Sequence, residues 1–137
     1  AKQLEGAFGF KKRTDIVTLT DRIYREFDVK AKSPRQPIGR LSGGNKQKIN
    51  LGRWLSKDLN YVILDCPTRG VDIGVKAYIY HLIREKKAQG TAVLLITDEL
   101  SEAIGMADRI LVMNNGRTAG MLERPEVSES KIIEVML

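Results

Sequence analysis

The sequence predicts an α/β fold in which a helical first region precedes a mostly parallel sheet with flanking helices. Two observations lead to this prediction. Residues 1–58 carry apolar side chains at helical spacing and contain no segment that is typical of a strand, whereas residues 59–137 alternate short apolar runs with helical segments. The order strand, helix, strand, helix, strand implies crossover connections and a parallel sheet. We therefore divide the chain into a helical region, 1–58, and a sheet region, 59–137.

The helical region is predicted to hold two helices with a loop between them. The first is amphipathic and ends near Phe27, and Thr18 or Thr20 is its possible cap. Two prolines place a loop over residues 34–37. The second helix is expected over residues 44–55, with its apolar residues mostly on one side.

The sheet region is predicted to contain three strands that alternate with helices. The strands are expected at residues 61–64, 92–96 and 110–113, and the helices at residues 74–88 and about 100–107. The first two strands are continuous apolar runs, which are typical of strands buried on both faces. Asn115-Gly116 is a tight-turn signal and predicts a hairpin that pairs the third strand with about Arg117–Leu122. Ser128 is expected to cap a final helix.

Composition describes a soluble globular protein. The 137 residues fit one domain, and no apolar run approaches the ~20 residues that a membrane-spanning helix needs. The single cysteine, Cys66, excludes an internal disulfide, and the lone His81 cannot complete a zinc site with it. Because the chain begins at Ala1 without a methionine, we expect it to be processed or cut from something longer.

The net charge of +6 raises the question of an anionic partner. Its largest cluster is Lys11-Lys12-Arg13, and further basic residues follow along the second helix. Aromatic residues make up only 6% of the chain and do not interleave with this cluster, as a nucleic-acid stacking surface would require. We therefore expect a solvated basic face and no nucleic-acid partner.

The start of the second helix has the features of a phosphate-binding site. Ser42 can cap this helix, and Gly43 and Gly44 have no side chains to block an approaching group. The unpaired backbone amides and the positive end of the helix dipole would then face an anion. An ordinary capped turn is the alternative interpretation of the same residues.

The chemistry of the sheet region is expected where the strands end, because ligands of open parallel sheets bind beyond the carboxyl ends of the strands. Asp65 occupies that place after the first strand. A rigidly held aspartate supplies the hard oxygen ligand that a nucleotide-bound magnesium ion needs, acting through water. An aspartate that caps the next turn is the alternative.

Taken in order, these motifs resemble the ATP-binding cassette (ABC) family of transport ATPases. The run Leu41-Ser42-Gly43-Gly44-Asn45-Lys46-Gln47-Lys48 is similar to the family's signature motif, and Tyr61-Val62-Ile63-Leu64-Asp65 to its Walker B strand. Cys66-Pro67-Thr68-Arg69-Gly70-Val71-Asp72 resembles the catalytic position and D-loop, and Ile96-Thr97-Asp98-Glu99-Leu100 the switch segment. The forms of these motifs are most like the second cassette of importers for ribose, xylose or galactose.

The resemblance implies a partial P-loop NTPase-like domain, because no Gly-x-x-x-x-Gly-Lys-Ser/Thr motif occurs in the sequence. Residues 1–58 would be the helical subdomain with the signature motif, and residues 59–137 the Walker B half of the ATPase core. The Walker A half, with its phosphate loop, would lie upstream. This fragment alone is therefore expected to bind ATP weakly and to be inactive.

Two departures from the family pattern fall on the site that contains Asp65. Cys66 stands where the family has the glutamate that polarises the attacking water, and a thiol is a poorer acceptor than a carboxylate. Asp98 stands at the switch histidine, and an ionised aspartate cannot donate a hydrogen bond to a γ-phosphate and would repel it. We therefore expect slow hydrolysis, or none, at this site.

The resemblance also implies how the chain would be partnered. Cassettes of this family pair head to tail, so Ser42, Gly43, Gly44 and Asn45 would act in trans on nucleotide held by an opposing cassette, and Asp72 would cross the interface. ATP and Mg²⁺ are the implied cofactors, in the complete cassette only. The further implied partners are membrane permease subunits and, indirectly, a periplasmic or lipoprotein sugar-binding protein, with the subunit on the cytoplasmic face of the plasma membrane.

Other hypotheses remain open beside the sugar importer. A soluble regulatory or nucleotide-sensing cassette would contain the same motifs, and a nucleoside could replace the sugar as the transported solute. Cys66 could act as a nucleophile or redox switch, although the sequence offers no evident base beside it. Without the upstream strand, the sheet would expose an unpaired edge, so we expect the isolated chain to self-associate.

Overall fold

The computed structural model describes residues 13–137, with side chains from residue 16 onward. The basic cluster Lys11-Lys12-Arg13 therefore lies outside the side chains described. The elements along the chain are α1 (Arg13–Glu26), α2 (Gly43–Leu55), β1 (Tyr61–Asp65), α3 (Ile73–Ala88), β2 (Ala92–Ile96), α4 (Leu100–Met106), β3 (Arg109–Asn114), β4 (Arg117–Glu123) and α5 (Glu129–Met136).

Most element positions follow the sequence prediction, but the start predicted for α1 is wrong. The helix begins at Arg13, so Thr18 and Thr20 lie inside it and neither is its N-cap. The hydroxyl of Thr20 donates instead to the carbonyl oxygen of Ile16, one turn earlier, at 2.7 Å. A threonine inside a helix often donates its hydroxyl to the carbonyl oxygen four residues earlier. A threonine in the sequence therefore does not by itself mark the start of a helix.

Strands β1 and β2 pair in parallel, with Tyr61 opposite Ala92 and Asp65 opposite Ile96. The expectation that both faces of these strands are buried is wrong. Val62 and Leu64 are buried against the helices, whereas Ile63 and Tyr61 on the other face are 58% and 72% exposed. No described residue covers that face, so only one side of the sheet lies in the core.

The third strand does not extend the parallel sheet, which corrects the prediction of three parallel strands. Within residues 13–137, β3 pairs only with β4, and these two strands form a separate antiparallel hairpin. The predicted tight turn is confirmed, because Asn115 and Gly116 both have positive φ angles, of 49° and 74°. Two such residues are what a two-residue hairpin turn requires.

The buried residues form two clusters. The larger cluster joins α1, α2, α3 and β1, with Leu55 and Ile79 at 1% and 0% exposure. The smaller cluster packs the hairpin against α5 through Val112, Leu122 and Ile132. The larger cluster contains residues from both sides of residue 58. Burial therefore does not separate the two regions at that point, and the division stays a prediction.

None of the helices in residues 13–137 combines the length and the apolar character that crossing a bilayer requires.

Candidate functional site

Ser42 is the N-cap of α2, as the sequence predicts. Its side-chain oxygen accepts hydrogen bonds from the backbone N–H of Asn45 at 3.4 Å and from the Asn45 side-chain amide at 2.8 Å. The side-chain oxygen of Asn45 in turn accepts the backbone N–H of Lys30 at 2.7 Å. Asn45 therefore fixes the cap and anchors the loop before α2, while Ser42 itself stays exposed.

The two glycines of this helix start have different surroundings. A Cβ atom placed on Gly44 would lie 2.8 Å from Cγ2 of Val75, so Gly44 lets α2 approach the first turn of α3. A Cβ placed on Gly43 would meet nothing within 4 Å. Gly44 is thus explained by packing within the chain, whereas Gly43 presents open backbone at the helix start.

A basic cavity adjoins Ser42. It has a volume of about 470 Å³, and Lys30, Lys32 and Arg40 line it together with Ser42 and Asn45. Positive side chains beside a helix N-terminus favour a negatively charged group. The surroundings of Ser42 therefore suit the anion that the sequence predicts there.

Asp65 and Cys66 lie where β1 ends. Asp65 is exposed, and its carboxylate forms no salt bridge with any described residue. The backbone N–H of Cys66 extends the β1–β2 pairing by donating to the carbonyl oxygen of Ile96 at 2.9 Å. Cys66 then turns the chain with a φ angle of 43°, in the left-handed region that residues other than glycine seldom adopt. This turn directs the following residues away from the sheet.

The Cys66 thiol is held in its neutral form. Partial burial raises its pKa, and the neighbouring Asp65 carboxylate raises the pKa further, while the Arg69 guanidinium lowers it. The protonated thiol offers a weak donor and a weak acceptor, not a carboxylate. It is therefore a poor group for orienting an attacking water.

Asp98 forms an ion pair with Arg69. One Nη2–Oδ2 distance is 2.7 Å, and both side chains are largely exposed. The hydrogen bond from Arg69 lowers the pKa of the Asp98 carboxyl, so Asp98 is ionised at neutral pH. Arg69 compensates the negative charge of Asp98, and the sequence analysis did not predict this ion pair.

Asp72 begins α3 as its N-cap, and its carboxylate accepts the backbone N–H of Val75 at 3.0 Å. The contact between Gly44 and Val75 places the starts of α2 and α3 next to each other. The residues predicted as signature motif and D-loop are therefore parts of one surface region, and both Ser42 and Asp72 are exposed there.

Several further contacts join the motifs and were missed by sequence reasoning. The Gln47 side-chain amide donates to the carbonyl oxygen of Pro67 at 2.6 Å, which connects α2 to the turn after β1. The remaining contacts join that turn and α3 to the segment after β2, through Thr68–Glu102 at 2.8 Å and Lys76–Glu99 at 2.6 Å. Their partners are 20 to 34 positions apart in the sequence, so no local pattern signals them.

The described residues supply only part of a nucleotide and metal site. Among these residues no three metal-ligating side chains lie together, so Asp65 would be a lone carboxylate ligand. One aspartate suits a magnesium ion that takes its other ligands from phosphate and water. His81 lies exposed on α3, where its Nε2 atom is 3.4 Å from Oε1 of Glu85 on the same helix, so its partner there is Glu85 and not Cys66.

The chain resembles sugar-import ATP-binding proteins over nearly its whole length. No protein-family model matches the sequence. It is 43% identical to the ribose import ATP-binding protein RbsA 2 of Mesorhizobium japonicum over 128 residues, and this alignment covers 93% of the chain and 25% of that protein. It is 46% identical over 113 residues to the arabinose import ATP-binding protein AraG of Pseudomonas savastanoi pv. phaseolicola, covering 82% of the chain and 22% of that protein. The chain thus spans about a quarter of the length of these relatives.

Solved structures of ATP-binding cassettes have the same fold. MJ1267, an ATP-binding cassette of an ABC transporter, superposes with a TM-score of 0.74 at 26% identity, over 93% of this chain and 52% of MJ1267. A putative metal-chelate type ABC transporter gives a TM-score of 0.79 at 18% identity, over 98% of this chain and 54% of that chain, which shows the fold alone. With the capped helix start at Ser42 and the strand that ends at Asp65, these similarities establish that the chain belongs to the ATP-binding cassette family.

Proposed function

We propose that this chain is part of the ATP-binding subunit of a sugar importer, in which ATP binding and hydrolysis drive uptake across the membrane. The observation that carries the proposal is the exposed, Ser42-capped start of α2 beside a basic cavity, in the same chain as a strand that ends at Asp65. The relatives named for ribose and arabinose import support a sugar as the transported class.

The signature residues act on nucleotide held by an opposing cassette. Ser42 and Gly43 are exposed, and no described residue occupies the space above Gly43. The basic residues around the cavity favour a phosphate group that arrives from outside the chain. Such closure needs ATP, because the phosphate charge offsets the basic residues beside Ser42 and favours the closed state. Asn45 holds the cap rigid, and Asp72 belongs to the contacting surface.

The site built on Asp65 binds nucleotide and hydrolyses it slowly or not at all. Asp65 is the residue that would hold Mg²⁺ through water, and the ion would supply charge neutralisation of the phosphates. Cys66 offers no carboxylate for the attacking water, and its raised pKa keeps it neutral. Asp98 is already bound to Arg69 and cannot donate a hydrogen bond while ionised. The two cassettes are therefore functionally unequal.

The assembly requires partners outside this chain. An opposing cassette closes on Ser42, and transmembrane permease subunits bind the helical subdomain on the cytoplasmic face of the plasma membrane. A periplasmic or lipoprotein sugar-binding protein delivers the solute to the permease. The isolated chain self-associates, because the β1–β2 sheet has an uncovered face with Tyr61 and Ile63 exposed.

Substitution of Ser42 tests the trans role. Ser42→Arg puts a large side chain on the closing surface and should abolish transport-coupled ATP hydrolysis by the full-length protein. The matched control is Ser128→Arg, because Ser128 caps α5 by accepting the Lys131 backbone N–H at 3.2 Å. Both variants lose a cap that contributes about 1 kcal/mol, but only Ser42 belongs to the nucleotide surface. Hydrolysis that survives Ser42→Arg, or that falls equally in both variants, contradicts the trans role.

A further inference from the structure

The turn after β1 and the segment after β2 leave the sheet side by side. The parallel pairing ends with Asp65 opposite Ile96, and the hydrogen bond from Cys66 to Ile96 is its last link. Beyond this point the backbone ladder no longer holds the turn (residues 66–72) against the segment (residues 97–102). Three residues of the proposed nucleotide sites, Cys66, Asp72 and Asp98, lie on these two stretches, so side chains must fix their separation.

Side-chain contacts at three positions continue the connection beyond the sheet. The Thr68 hydroxyl donates to Oε1 of Glu102 at 2.8 Å. Arg69 donates to Asp98 at 2.7 Å. Lys76, in the first turn of α3, donates to both carboxylate oxygens of Glu99 at 2.6 Å. Each pair joins the β1 side to the β2 side, and each carboxylate lies on the β2 side.

The Thr68–Glu102 contact is the most shielded of these pairs. Thr68 is 1% exposed and Glu102 is 2% exposed, whereas the side chains of Arg69 and Asp98 are 67% and 70% exposed. Water weakens the exposed ion pair, but it cannot compete for the buried hydrogen bond. The buried pair is therefore the contact that solvent weakens least.

The Glu102 carboxylate also interacts with Tyr80, on α3. The pKa of Tyr80 is raised first by burial, then by the Glu102 charge and by the hydrogen bond to that carboxylate. Glu102 therefore interacts with α3 through Tyr80 as well as with the turn after β1 through Thr68.

We propose that Glu102 is a positioning residue of the nucleotide site, which binds Thr68 so that the segment carrying Asp98 and the turn leading to Asp72 move as one unit. This inference rests on the proposed function, in which Asp72 lies on the surface that faces the opposing cassette. A displacement of Asp98 would then also displace Asp72 on that surface. Glu102 itself touches no reacting group. Arg69–Asp98 and Lys76–Glu99 support the same connection nearer the solvent.

Amide hydrogen exchange in the full-length protein tests this connection at Thr68. Thr68→Val keeps the shape but removes the hydroxyl, and it should speed exchange by about tenfold in residues 66–72 and in residues 97–102 together. Thr68→Ser, the matched control, keeps the hydroxyl and should exchange at nearly the unaltered rate. The hairpin of β3 and β4 reports overall stability and should not change in either variant.

Each other outcome overturns the proposal. Faster exchange in only one of the two stretches would mean that they move separately, and no change would mean that the contact holds nothing. An equal increase in the hairpin would assign the contact to general stability. If Thr68→Val does not fold, Glu102→Met replaces it, because it removes the acceptor of the same hydrogen bond, and faster exchange is again required in both stretches.

A kinetic readout separates this inference from the proposed function. If the full-length protein hydrolyses ATP, Thr68→Val should lower kcat and leave KM for ATP unchanged, because the contact positions groups without touching nucleotide. A rise in KM with kcat unchanged would contradict positioning. If the protein hydrolyses no ATP at all, the proposed function fails, whereas the exchange result still decides whether the two stretches are joined.

Discussion

Replacing each signature glycine by alanine should have opposite effects on stability. On Gly44 the new methyl group would lie 2.8 Å from Cγ2 of Val75, well inside the ~3.5–4.0 Å of favourable carbon contact. On Gly43 the methyl group would meet nothing within 4 Å. The two substitutions are chemically identical and adjacent in sequence, so any difference between them comes from the packing of α2 on α3.

The magnitude follows from two opposing effects. Overpacking of this kind costs about 1–3 kcal/mol, and alanine in a helix gains up to ~1 kcal/mol over glycine. Gly44→Ala should therefore lower the free energy of unfolding by about 1–2 kcal/mol. Gly43→Ala should leave the free energy of unfolding unchanged or raise it by up to ~1 kcal/mol. The two variants should therefore differ by roughly 2 kcal/mol.

Urea unfolding followed through Trp54, the only tryptophan and itself on α2, measures this difference. Val75→Ala in the Gly44→Ala background removes the close contact and should recover most of the loss, which a double-mutant cycle would report as a coupling of about 1 kcal/mol. Equal stabilities of the two alanine variants would refute the packing explanation. Additive effects of Gly44→Ala and Val75→Ala would refute it independently.

Three further substitutions test other parts of the structure. Lys48→Met removes a buried donor that lies 2.9 Å from the Asp28 carbonyl oxygen, and urea unfolding should detect a loss of about 2 kcal/mol. Arg69 lowers the pKa of the Asp98 carboxyl in the folded chain below its unfolded value near 3.8. The pair therefore stabilises the fold above that pH, and this contribution to the free energy of unfolding disappears as the pH falls through the folded pKa. Asp98→Asn should accordingly make the free energy of unfolding fall less steeply at acid pH. Leu94→Lys, on the uncovered sheet face where Leu94 is 57% exposed, should reduce self-association of the isolated chain in sedimentation measurements.

Matched controls accompany these three substitutions. Lys46→Met changes an exposed lysine of the same helix, and a loss equal to that of Lys48→Met would contradict the buried-donor explanation. Asp58→Asn removes an exposed aspartate that forms no salt bridge among residues 16–137, and an effect equal to that of Asp98→Asn would contradict the role of the Arg69 pair. Ile133→Lys alters an exposed apolar residue of α5, so a similar effect on association would mean that the sheet face has no special role.

The elements that the sequence predicted correctly are those with a strong local signal. Ser42 and Ser128 cap the helices expected after them, because a cap bonds to a backbone amide three positions ahead. The turn at Asn115-Gly116 follows from two residues that tolerate positive φ angles. Such signals lie within a few residues, so the sequence contains the whole cause.

The errors concern what neighbours each element. An apolar run such as that of β2 does not reveal whether one face or both faces are covered, because burial depends on distant segments. The third strand, likewise, is apolar enough for a parallel sheet, yet it pairs with β4 because the two-residue turn brings that strand alongside. At the site, the sequence predicted Asp98 at the switch position but could not reveal Arg69 as its partner, 29 positions away.

The central claim is that the signature motif serves another cassette while the chain's own site is catalytically poor. The most direct measurement is ATP turnover by the full-length protein carrying Ser42→Arg, which silences the opposing site. We expect almost no residual turnover with Cys66 in place, and a rise of at least about tenfold when Cys66→Glu is added, since a positioned general base contributes ~10²–10⁴-fold. Cys66→Ser, the control without a carboxylate, should stay slow. Substantial turnover with Cys66 unaltered, or no increase with Cys66→Glu, would contradict the proposal that this site is catalytically poor.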